Sequence, residues 1–498
     1  MMRFGLVGGS VATLLLSSTA TLADVTAAQV WENWKTYYAD LGYEVTAGAE
    51  EPGGDRLVLR DVTLVSRVPD GTVTATMPQV TMTEAQGSVT IEIPQSIPVS
   101  MTGTDAEGRS TVMGMTVAHT GLSLVASGTP DEIVYDYSAP QMTFSLDEME
   151  AEGTPIEMTL NVTAEGLTGR STVGADRSAE SMTAREVNFA LAAADPEGSG
   201  TMNLTGRITD VVGDGSMTKP EGDVGMEDMA AALAAGFGFD GTFRYGSGEY
   251  SFDLDDAGQT ANFEASGGEG EIAVRMDDAG LHYGVTGGYG QVAAETSQLP
   301  FPIRAAVAAT AFELTMPLAA GAEPQDFTLG LRMEELVVNE EVWAIVDPTA
   351  QLPRDPATLV LDLGGTATLD TSLLDPALAE GTATEPPGQL NTLNVNQLRL
   401  SLAGAELTGG GALTFDEAAA QPFAQMPRPE GQITLRLLGG NGLLDRLVSL
   451  GLVPEQQATG FRMMAGLFAQ QGPGEDELNT LIEFREDGGI YANGQRIQ

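Results

Sequence analysis

Apolar and polar residues alternate with a period of two along most of the chain, between Leu57 and Leu437. In a β-strand, such alternation places apolar side chains on one face and polar side chains on the other. The clearest examples are Val73/Ala75/Met77, Val89/Ile91/Ile93, Met113/Met115/Val117, Met142/Phe144/Leu146, Met158/Leu160/Val162 and Tyr250/Phe252/Leu254. The pattern predicts many strands, each with one solvated face.

Turn residues separate these segments and indicate how the strands connect. Pro-Asp-Gly at 69–71 and Gly-Thr-Pro at 153–155 are typical turn sequences, and Asp-Asp-Ala-Gly at 255–258 recurs at 277–280. Strands at intervals of roughly 10–12 residues, joined by hairpin turns, predict an antiparallel meander. A parallel α/β sheet is therefore disfavoured.

Few segments have helical periodicity. Thr26 and Gln29 form a capping-box pair ahead of an amphipathic helix predicted over 27–41. A short Ala-rich helix is predicted at 226–235, and a C-terminal helical hairpin at 442–450 and 454–470. The predicted fold class is mainly β: a long antiparallel sheet with an N-terminal helix, a short central helix and a C-terminal helical hairpin.

Breaks in the periodicity suggest a division of the chain. Residues 1–23 have the positive start, apolar stretch and small terminal residues of a secretory signal peptide. Polar breaks at 214–225 and 376–389 separate the rest. The predicted regions are an N-terminal β-rich region with the leading helix (24–213), a central β-rich region (226–375) and a C-terminal β-rich region with the helical hairpin (390–498).

Charge and composition narrow the possible functions. The 498 residues include 23 Lys and Arg against 70 Asp and Glu, giving a net charge of −47, and no Cys. Contact with phosphates is unfavourable for such a chain, which excludes nucleic-acid binding. The absence of Cys excludes disulfides and thiolate chemistry. No later window is apolar enough to span a membrane, so we expect a periplasmic protein with no transmembrane segment after signal cleavage.

Candidate catalytic and metal-binding residues are scarce. His119 and His282 are the only histidines and both lie in alternating segments, so a His-based triad or multi-His metal site is not expected. Paired carboxylates at a glycosidase separation stay open as an alternative, because acidic residues are abundant. We assign no catalytic, cofactor-binding or metal-binding residue, and we expect no cofactor.

One segment has a distinctive sequence. Residues 341–348 (EVWAIVDP) followed by 352–359 (LPRDPATL) resemble a signature of an uncharacterised family of exported alphaproteobacterial proteins, a domain of unknown function. The resemblance extends over most of the mature chain, from the helix around Trp31 to the turn at Asp487, and it implies no activity. The residues themselves predict a structural motif, made of Trp343, Asp347, Pro348, Pro353, Arg354, Asp355 and Pro356.

The physical interpretation of this motif is that its prolines fix the path of the chain. Arg354 is expected to pair with Asp347 or Asp355 and so to hold a crossover between sheets.

More distantly, strand sequences such as residues 57–64 (LVLRDVTL) are similar to those of the AsmA-like envelope proteins. That similarity implies a long curved sheet whose concave apolar face shelters lipid acyl chains. The predicted helices either cover this face and give a closed core, or leave a groove.

The leading hypothesis is a non-enzymatic periplasmic protein that binds or transfers an apolar ligand, such as a lipid, along a sheet face. One alternative is a structural or interaction module of the cell envelope with a closed core, whose partner is an envelope protein. The other is a carboxylate-dependent hydrolase with two buried acids in one cleft.

Overall fold

The structure is a computed structural model that describes most of the chain from Val25 to Gln498. The residues it does not describe are 1–24, 69, 105–107, 196–197, 199, 223, 226–227, 384–385 and 417–427. The predicted signal peptide therefore lies outside the described residues.

The described chain contains six helices. They are α1 (Ala27–Asp40), α2 (Met229–Ala234), α3 (Glu340–Val346), α4 (Pro376–Ala379), α5 (Gly440–Ser449) and α6 (Glu455–Phe468). Helix α1 begins at Ala27 because Thr26 Oγ1 accepts the N–H of Gln29 at 3.3 Å while Gln29 Oε1 accepts the N–H of Thr26 at 2.9 Å. This reciprocal capping box is the one that the sequence predicts.

Strands make up most of the described chain. The N-terminal half contains β1 (Tyr43–Thr46), β2 (Ala49–Gly53), β3 (Arg56–Val68), β4 (Gly71–Ala85), β5 (Ser88–Glu92), β6 (Ser96–Thr104), β7 (Ser110–Thr120), β8 (Ser123–Thr129), β9 (Glu132–Ala151), β10 (Thr154–Pro155), β11 (Met158–Gly174), β12 (Arg177–Ala194), β13 (Thr201–Thr218), β14 (Gly238–Tyr245) and β15 (Ser247–Asp256). The C-terminal half contains β16 (Gln259–Gly267), β17 (Gly270–Asp277), β18 (Gly280–Gly287), β19 (Gly290–Thr296), β20 (Ile303–Val307), β21 (Ala309–Met316), β22 (Gln325–Val338), β23 (Ala357–Leu369), β24 (Gly388–Leu402), β25 (Ala405–Asp416), β26 (Arg428–Leu438), β27 (Gln470–Gln471), β28 (Glu477–Phe484), β29 (Ile490–Ala492) and β30 (Gln495–Arg496).

These strands form one continuous antiparallel sheet in which long strands alternate with pairs of shorter strands laid end to end. From one edge, the order is β2/β1, β3, β4, β5/β6, β8/β7, β9, β11, β12, β13, β14/β15, β17/β16, β18/β19, β21/β20, β22, β23, β24, β25, β26 and β28, with the short strands β10, β27, β29 and β30 at the margins. We call the half that contains β15, β16, β19 and β20 the first wing, and the half that contains β14, β17, β18 and β21 the second wing.

The long strands carry an extra residue where they pass from one wing to the other, along a line that we call the crease. In β13 the apolar positions run Leu204, Gly206, Ile208, and then Val211 and Gly213. The period shifts because Asp210, with φ of 51°, bulges out of the ladder. A bulge adds one residue to one strand, so both wings keep their apolar side chains on the same face. Equivalent bulges or breaks lie at Asp61, Gly166, Arg185, Gly246, Gly288 and Glu335.

The sheet curls around α1. The indole of Trp31 donates to Glu50 of β2 at 2.7 Å, whereas Asp40 at the other end of the helix binds Lys219, which follows β13, at 2.6 Å. Nine helical residues span about 14 Å. The eight strand steps from β2 to β13 would cover about 38 Å in a flat sheet. The sheet is therefore concave on the side that packs against α1.

The predicted fold class is confirmed, with three differences in detail. The strands are longer than the sequence indicates, and β9 alone has 20 residues. The predicted break at 214–225 is wrong for its first residues, because β13 continues to Thr218. Helices α3 and α4 were not predicted. The sheet runs across both predicted boundaries, and the division into three regions stays a prediction.

Candidate functional site

The apolar residues of the first wing form rows that cross the sheet without interruption. One row joins directly paired residues of thirteen strands, from β1 to β20. Its members are Val45, Leu64, Ala75, Val99, Met115, Leu146, Leu160, Leu191, Leu204, Phe252, Phe263, Ala294 and Ile303. We call the side of the sheet that carries this row the apolar face, and the other side the polar face.

A second row continues the apolar face along the second wing, from β13 to β26. Its members are Gly213, Phe243, Ile272, Val285, Phe312, Leu331, Leu361, Leu398, Gly409 and Leu435. Nine strand steps correspond to about 43 Å. No member of either row carries a charge, so the face offers a long, uninterrupted surface for apolar contact.

The two ends of this face differ in how they are covered. Under α1, Leu59, Val62, Val80 and Met82 are fully buried. In the middle of the sheet, large apolar side chains stay 36–40% exposed. These are Phe239, Tyr250, Phe263, Ile272, Val292, Ile303 and Leu331. Helix α2 covers only the rim of the second wing, where Leu233 and Phe237 pack against Leu318.

Aromatic rings on the apolar face lie flat across glycines of the neighbouring strand. The ring of Phe189 occupies the space where a side chain at Gly206 would stand, and Tyr137 does the same over Gly169. Tyr245 over Gly270 and Phe327 over Gly365 repeat the arrangement. Glycine in a strand often marks such a close approach. The rings therefore form a low floor and do not stand up from the sheet.

A cavity of about 1130 Å³ lies on the polar face of the first wing. Two of its charged side chains, Arg207 and Glu249, are paired with each other. Arg207 contacts Glu249 at 3.0 Å and Glu186 at 3.7 Å. The twist of a large sheet produces shallow depressions of this kind. Because the depression is shallow and Arg207 is already paired with carboxylates, we do not interpret this cavity as the functional site.

The segment that the sequence singled out forms a compact turn between α3 and β23. Asp347 is 1% exposed and accepts hydrogen bonds from the N–H groups of Gln351 at 2.9 Å and Leu352 at 2.7 Å. The guanidinium of Arg354 donates to Asp347 at 2.7 Å and stacks 4.7 Å from the centre of the Trp343 ring. The segment connects β22 and β23, which are adjacent strands of one sheet. The predicted crossover between two sheets is therefore wrong.

The hydrogen bonds explain the electrostatics of this turn. Burial alone would raise the pKa of Asp347, but the two N–H groups and Arg354 outweigh burial and lower it to about 2. Arg354 also donates to the carbonyl of Leu352 at 2.8 Å and to Glu340 at 3.3 Å. The turn therefore holds a charged carboxylate over the whole physiological pH range.

The remaining motif residues border this turn. Asp355 is exposed and, with Trp343, lines a mostly apolar cavity of about 310 Å³. Pro353 packs near Gly404, while Pro348 and Pro356 are exposed. The structure thus brings Trp343, Asp347 and Arg354 together. These contacts are consistent with the predicted structural role of the motif, and that role stays a prediction.

Helix α6 presents apolar side chains to solvent. Ala458 is its buried position, whereas five large apolar residues are between 39% and 67% exposed. They are Phe461, Met463, Met464, Leu467 and Phe468.

The described residues do not assemble a metal site from His, Asp or Glu side chains. His119 lies in β7 and contacts the carbonyl of Pro94 at 3.0 Å, and His282 lies in β18 and contacts Thr315 at 3.1 Å. In the part of the chain that is described, no helix combines the length and apolarity that crossing a membrane requires.

These features define a class of protein built on one long creased sheet with a partly uncovered apolar face. The chain belongs to the family described as an uncharacterised protein conserved in bacteria, DUF2125, which matches residues 247–497. The match begins at the first residue of β15, so it contains the Trp343–Pro356 segment but not α1, where the resemblance was expected to begin. No curated protein and no solved structure matches the chain.

Two features of the apolar face were not predicted from the sequence: the crease, and the aromatic rings that lie flat across glycines. A signal for the crease was present, because the apolar alternation changes from even to odd positions inside β13, at Asp210. The flat rings also had a signal in the sequence, because glycines such as Gly206 occupy positions where the alternation calls for an apolar side chain.

Proposed function

We propose that this protein is a non-enzymatic periplasmic carrier that binds an apolar ligand, such as a lipid, along the apolar face of its sheet. One observation carries the proposal: seven large apolar side chains of the apolar face, from Phe239 to Leu331, are more than one third exposed. Soluble proteins rarely expose contiguous apolar patches larger than a few hundred Å², and larger patches mark binding surfaces.

The shape of the surface favours a long, flexible ligand. The rows follow the sheet for about 43 Å, and the flat rings over Gly206 and Gly169 leave their path clear. Burial of apolar area contributes about 25 cal/mol per Å², so an extended acyl chain gains affinity along its length without needing a specific polar contact. The similarity of residues 57–64 to AsmA-like envelope proteins, and an exported alphaproteobacterial origin, are part of this proposal.

The experiment compares two substitutions in β22. Leu331→Asp places a charge on the apolar face, and Val337→Asp places one on the polar face, at positions 39% and 41% exposed. Both variants and the wild type are purified from the periplasm and analysed by native mass spectrometry and lipid extraction. We expect amphiphile to co-purify with the wild type and with Val337→Asp, and to be reduced with Leu331→Asp. Wild-type protein without any amphiphile would overturn the proposal.

The periplasmic location rests on residues 1–23 and has its own test. Cell fractionation of the full chain and of a chain that begins with Met followed by Asp24 should place the first in the periplasm and the second in the cytoplasm. Cytoplasmic full-length protein would contradict the location.

An interaction module of the envelope is the second candidate, because α6 exposes Phe461, Met464 and Leu467. A stoichiometric protein partner in a periplasmic pull-down, lost in Leu467→Ser, would favour it. We do not extend the proposal to a hydrolase. The carboxyl pKa values that are shifted among the described residues are lowered, as at Asp347 and Glu477, whereas a general acid needs a raised one.

A further inference from the structure

Beside α1, the apolar face carries carboxylates. Glu50 accepts from the indole of Trp31 and Glu84 from the N–H of Ala27, whereas Glu180 lies farther along the face. Glu180 of β12 stands in a row that begins with Tyr135 and Ser171 and continues as Gly215 and Gly241. Tyr135 is buried on the apolar face and donates to Asn33 of α1 at 2.7 Å, which places Glu180 on the same face. No described Lys or Arg forms an ion pair with Glu180. A negative charge therefore stands at the point where the covered part of the face meets the open part.

Tyrosines surround this carboxylate. The hydroxyl of Tyr137 donates to Glu180 at 2.9 Å, and its ring reaches β12 because Gly169 has no side chain in its path. Tyr37 and Tyr38, near the end of α1, pack edge to face with ring centres 5.5 Å apart. Burial raises the pKa of both, and the nearby charge of Glu180 raises it further. Helix α1 runs from Asn33, held by Tyr135 of β9, to Asp40, held by Lys219 after β13, so its last turns cross the sheet at the level of β12.

On the side of Glu180 that faces the open sheet, the next two residues of the row are glycines, and the ring of Phe239 lies over the second of them, Gly241. The next residue in the row is Gly215, where an added β-carbon would meet only the carbonyl oxygen of Asp240, at 3.5 Å. Beyond Gly241 the row becomes apolar again, through Val274, Tyr283 and Leu314. A head group seated over Gly215 would therefore have its apolar chain directed along the second wing.

We propose that the Glu180–tyrosine cluster, formed by Glu180, Tyr137, Tyr37 and Tyr38, binds the ammonium head group of an amphiphile whose chain lies on the apolar face. Carboxylates and aromatic faces both attract ammonium groups, most strongly where water is partly excluded. The net charge of −47 attracts cations to the whole surface and repels anionic amphiphiles. This inference rests on the proposed function, because it names the class of ligand for the same face.

The test compares detergents that share a dodecyl chain and differ in the head group: trimethylammonium, phosphocholine, sulfate and maltoside. Each is titrated below its micellar concentration against wild type, Glu180→Gln and Glu264→Gln, by calorimetry at physiological salt. Glu264 lies on the polar face of β16 and controls for the loss of one charge.

We expect the wild type to bind dodecyltrimethylammonium best. Glu180→Gln should weaken that binding about 5–10-fold and change dodecyl maltoside binding less than about twofold, while Glu264→Gln changes neither. Maltoside binding without a Glu180-dependent preference for ammonium would overturn this inference and leave the carrier intact. Absence of binding by every detergent would overturn the carrier itself.

Discussion

The ring of Phe189 in β12 lies across the backbone of Gly206 in β13, in the space that a side chain at position 206 would occupy. On its far side the same ring contacts Tyr250, with ring centres 5.9 Å apart. The two aromatic residues and the glycine between them form one directly paired row of the apolar face. Glycine at 206 is therefore what allows the aromatic floor to lie flat.

This contact predicts a different outcome for the same substitution at two glycines. Gly206→Ala should lower the free energy of unfolding by about 1–3 kcal/mol, because the new methyl group displaces the ring of Phe189. Gly290→Ala, on the same face, should be neutral or stabilise by up to about 1 kcal/mol, because its nearest neighbour is 3.7 Å away. Urea unfolding measures both. Equal effects would show that the ring does not depend on the glycine.

The Asp347 turn predicts that Arg354 cannot be replaced by Lys. Arg354 contacts Asp347, the carbonyl of Leu352 and the face of Trp343 at once. A Lys ammonium lacks the planar fork that makes these contacts together. We therefore expect Arg354→Lys to lower Tm nearly as much as Arg354→Ala. Arg332→Lys, at an exposed ion pair of β22, should leave Tm nearly unchanged. Full recovery by Lys at 354 would contradict the stacked geometry.

Two carboxylates predict a loss of stability in acid. Hydrogen bonds lower the pKa of Asp347 to about 2, and Arg436 and Asn479 are the main groups that lower the pKa of Glu477 to about 2. The unfolded values are about 3.9 for Asp and 4.3 for Glu. Stability from these groups is thus present above about pH 4 and is lost as the pH falls towards 2.

Replacement of either carboxylate tests this dependence. Asp347→Asn and Glu477→Gln should be less stable than wild type at pH 7, and the difference should shrink as the pH falls from 4 to 2. Glu264→Gln is the control and should follow the wild-type curve. If the difference in stability between variant and wild type stayed constant from pH 7 to pH 2, these two carboxylates would not contribute to the loss of stability in acid.

The prediction of the fold succeeded where the pattern is local. The alternation at Met158, Leu160 and Val162 does belong to one face of β11, and Thr26 does cap α1. The lengths of the strands could not be predicted in the same way. At Gly166 the bulge shifts the alternation by one residue, so one continuous strand gives the pattern of two short ones.

The candidate site was harder to predict because it depends on pairs that are distant in sequence. The apolar alternation was evident, but only the register shows that Tyr137 reaches Glu180, 43 residues away. Likewise, Arg354 was expected at Asp347 or Asp355, and the backbone path of the turn selects Asp347. What covers the apolar face depends on where α1 packs, which periodicity does not specify.

The charge of −47 predicts that salt stabilises the protein. Repulsion among excess carboxylates opposes the compact state, and ions at physiological strength screen it beyond about 8 Å. We expect Tm to rise when sodium chloride increases from a low to a high concentration. A Tm independent of salt would show that the charges are too far apart in the folded sheet to destabilise it.

Helix α6 predicts opposite effects at its two sides. Leu467 is 58% exposed, so Leu467→Ser should change the free energy of unfolding by less than about 0.5 kcal/mol. Ala458 is buried, and Ala458→Leu should cost about 1–3 kcal/mol through overpacking. Urea unfolding of both variants distinguishes them. A large loss of stability in Leu467→Ser would mean that the exposed side is covered in solution.

Because the bulges lie along one line, the angle between the two wings does not depend on how many strands the sheet contains. Several long strands pass through both wings and carry a bulge at the crease, as β13 does at Asp210 and β22 at Glu335. Inserting one more hairpin of the same kind would extend the sheet by about 10 Å without altering its profile. A molecule of this design can change its span by gene-level duplication of hairpins, much as repeat proteins lengthen by adding modules.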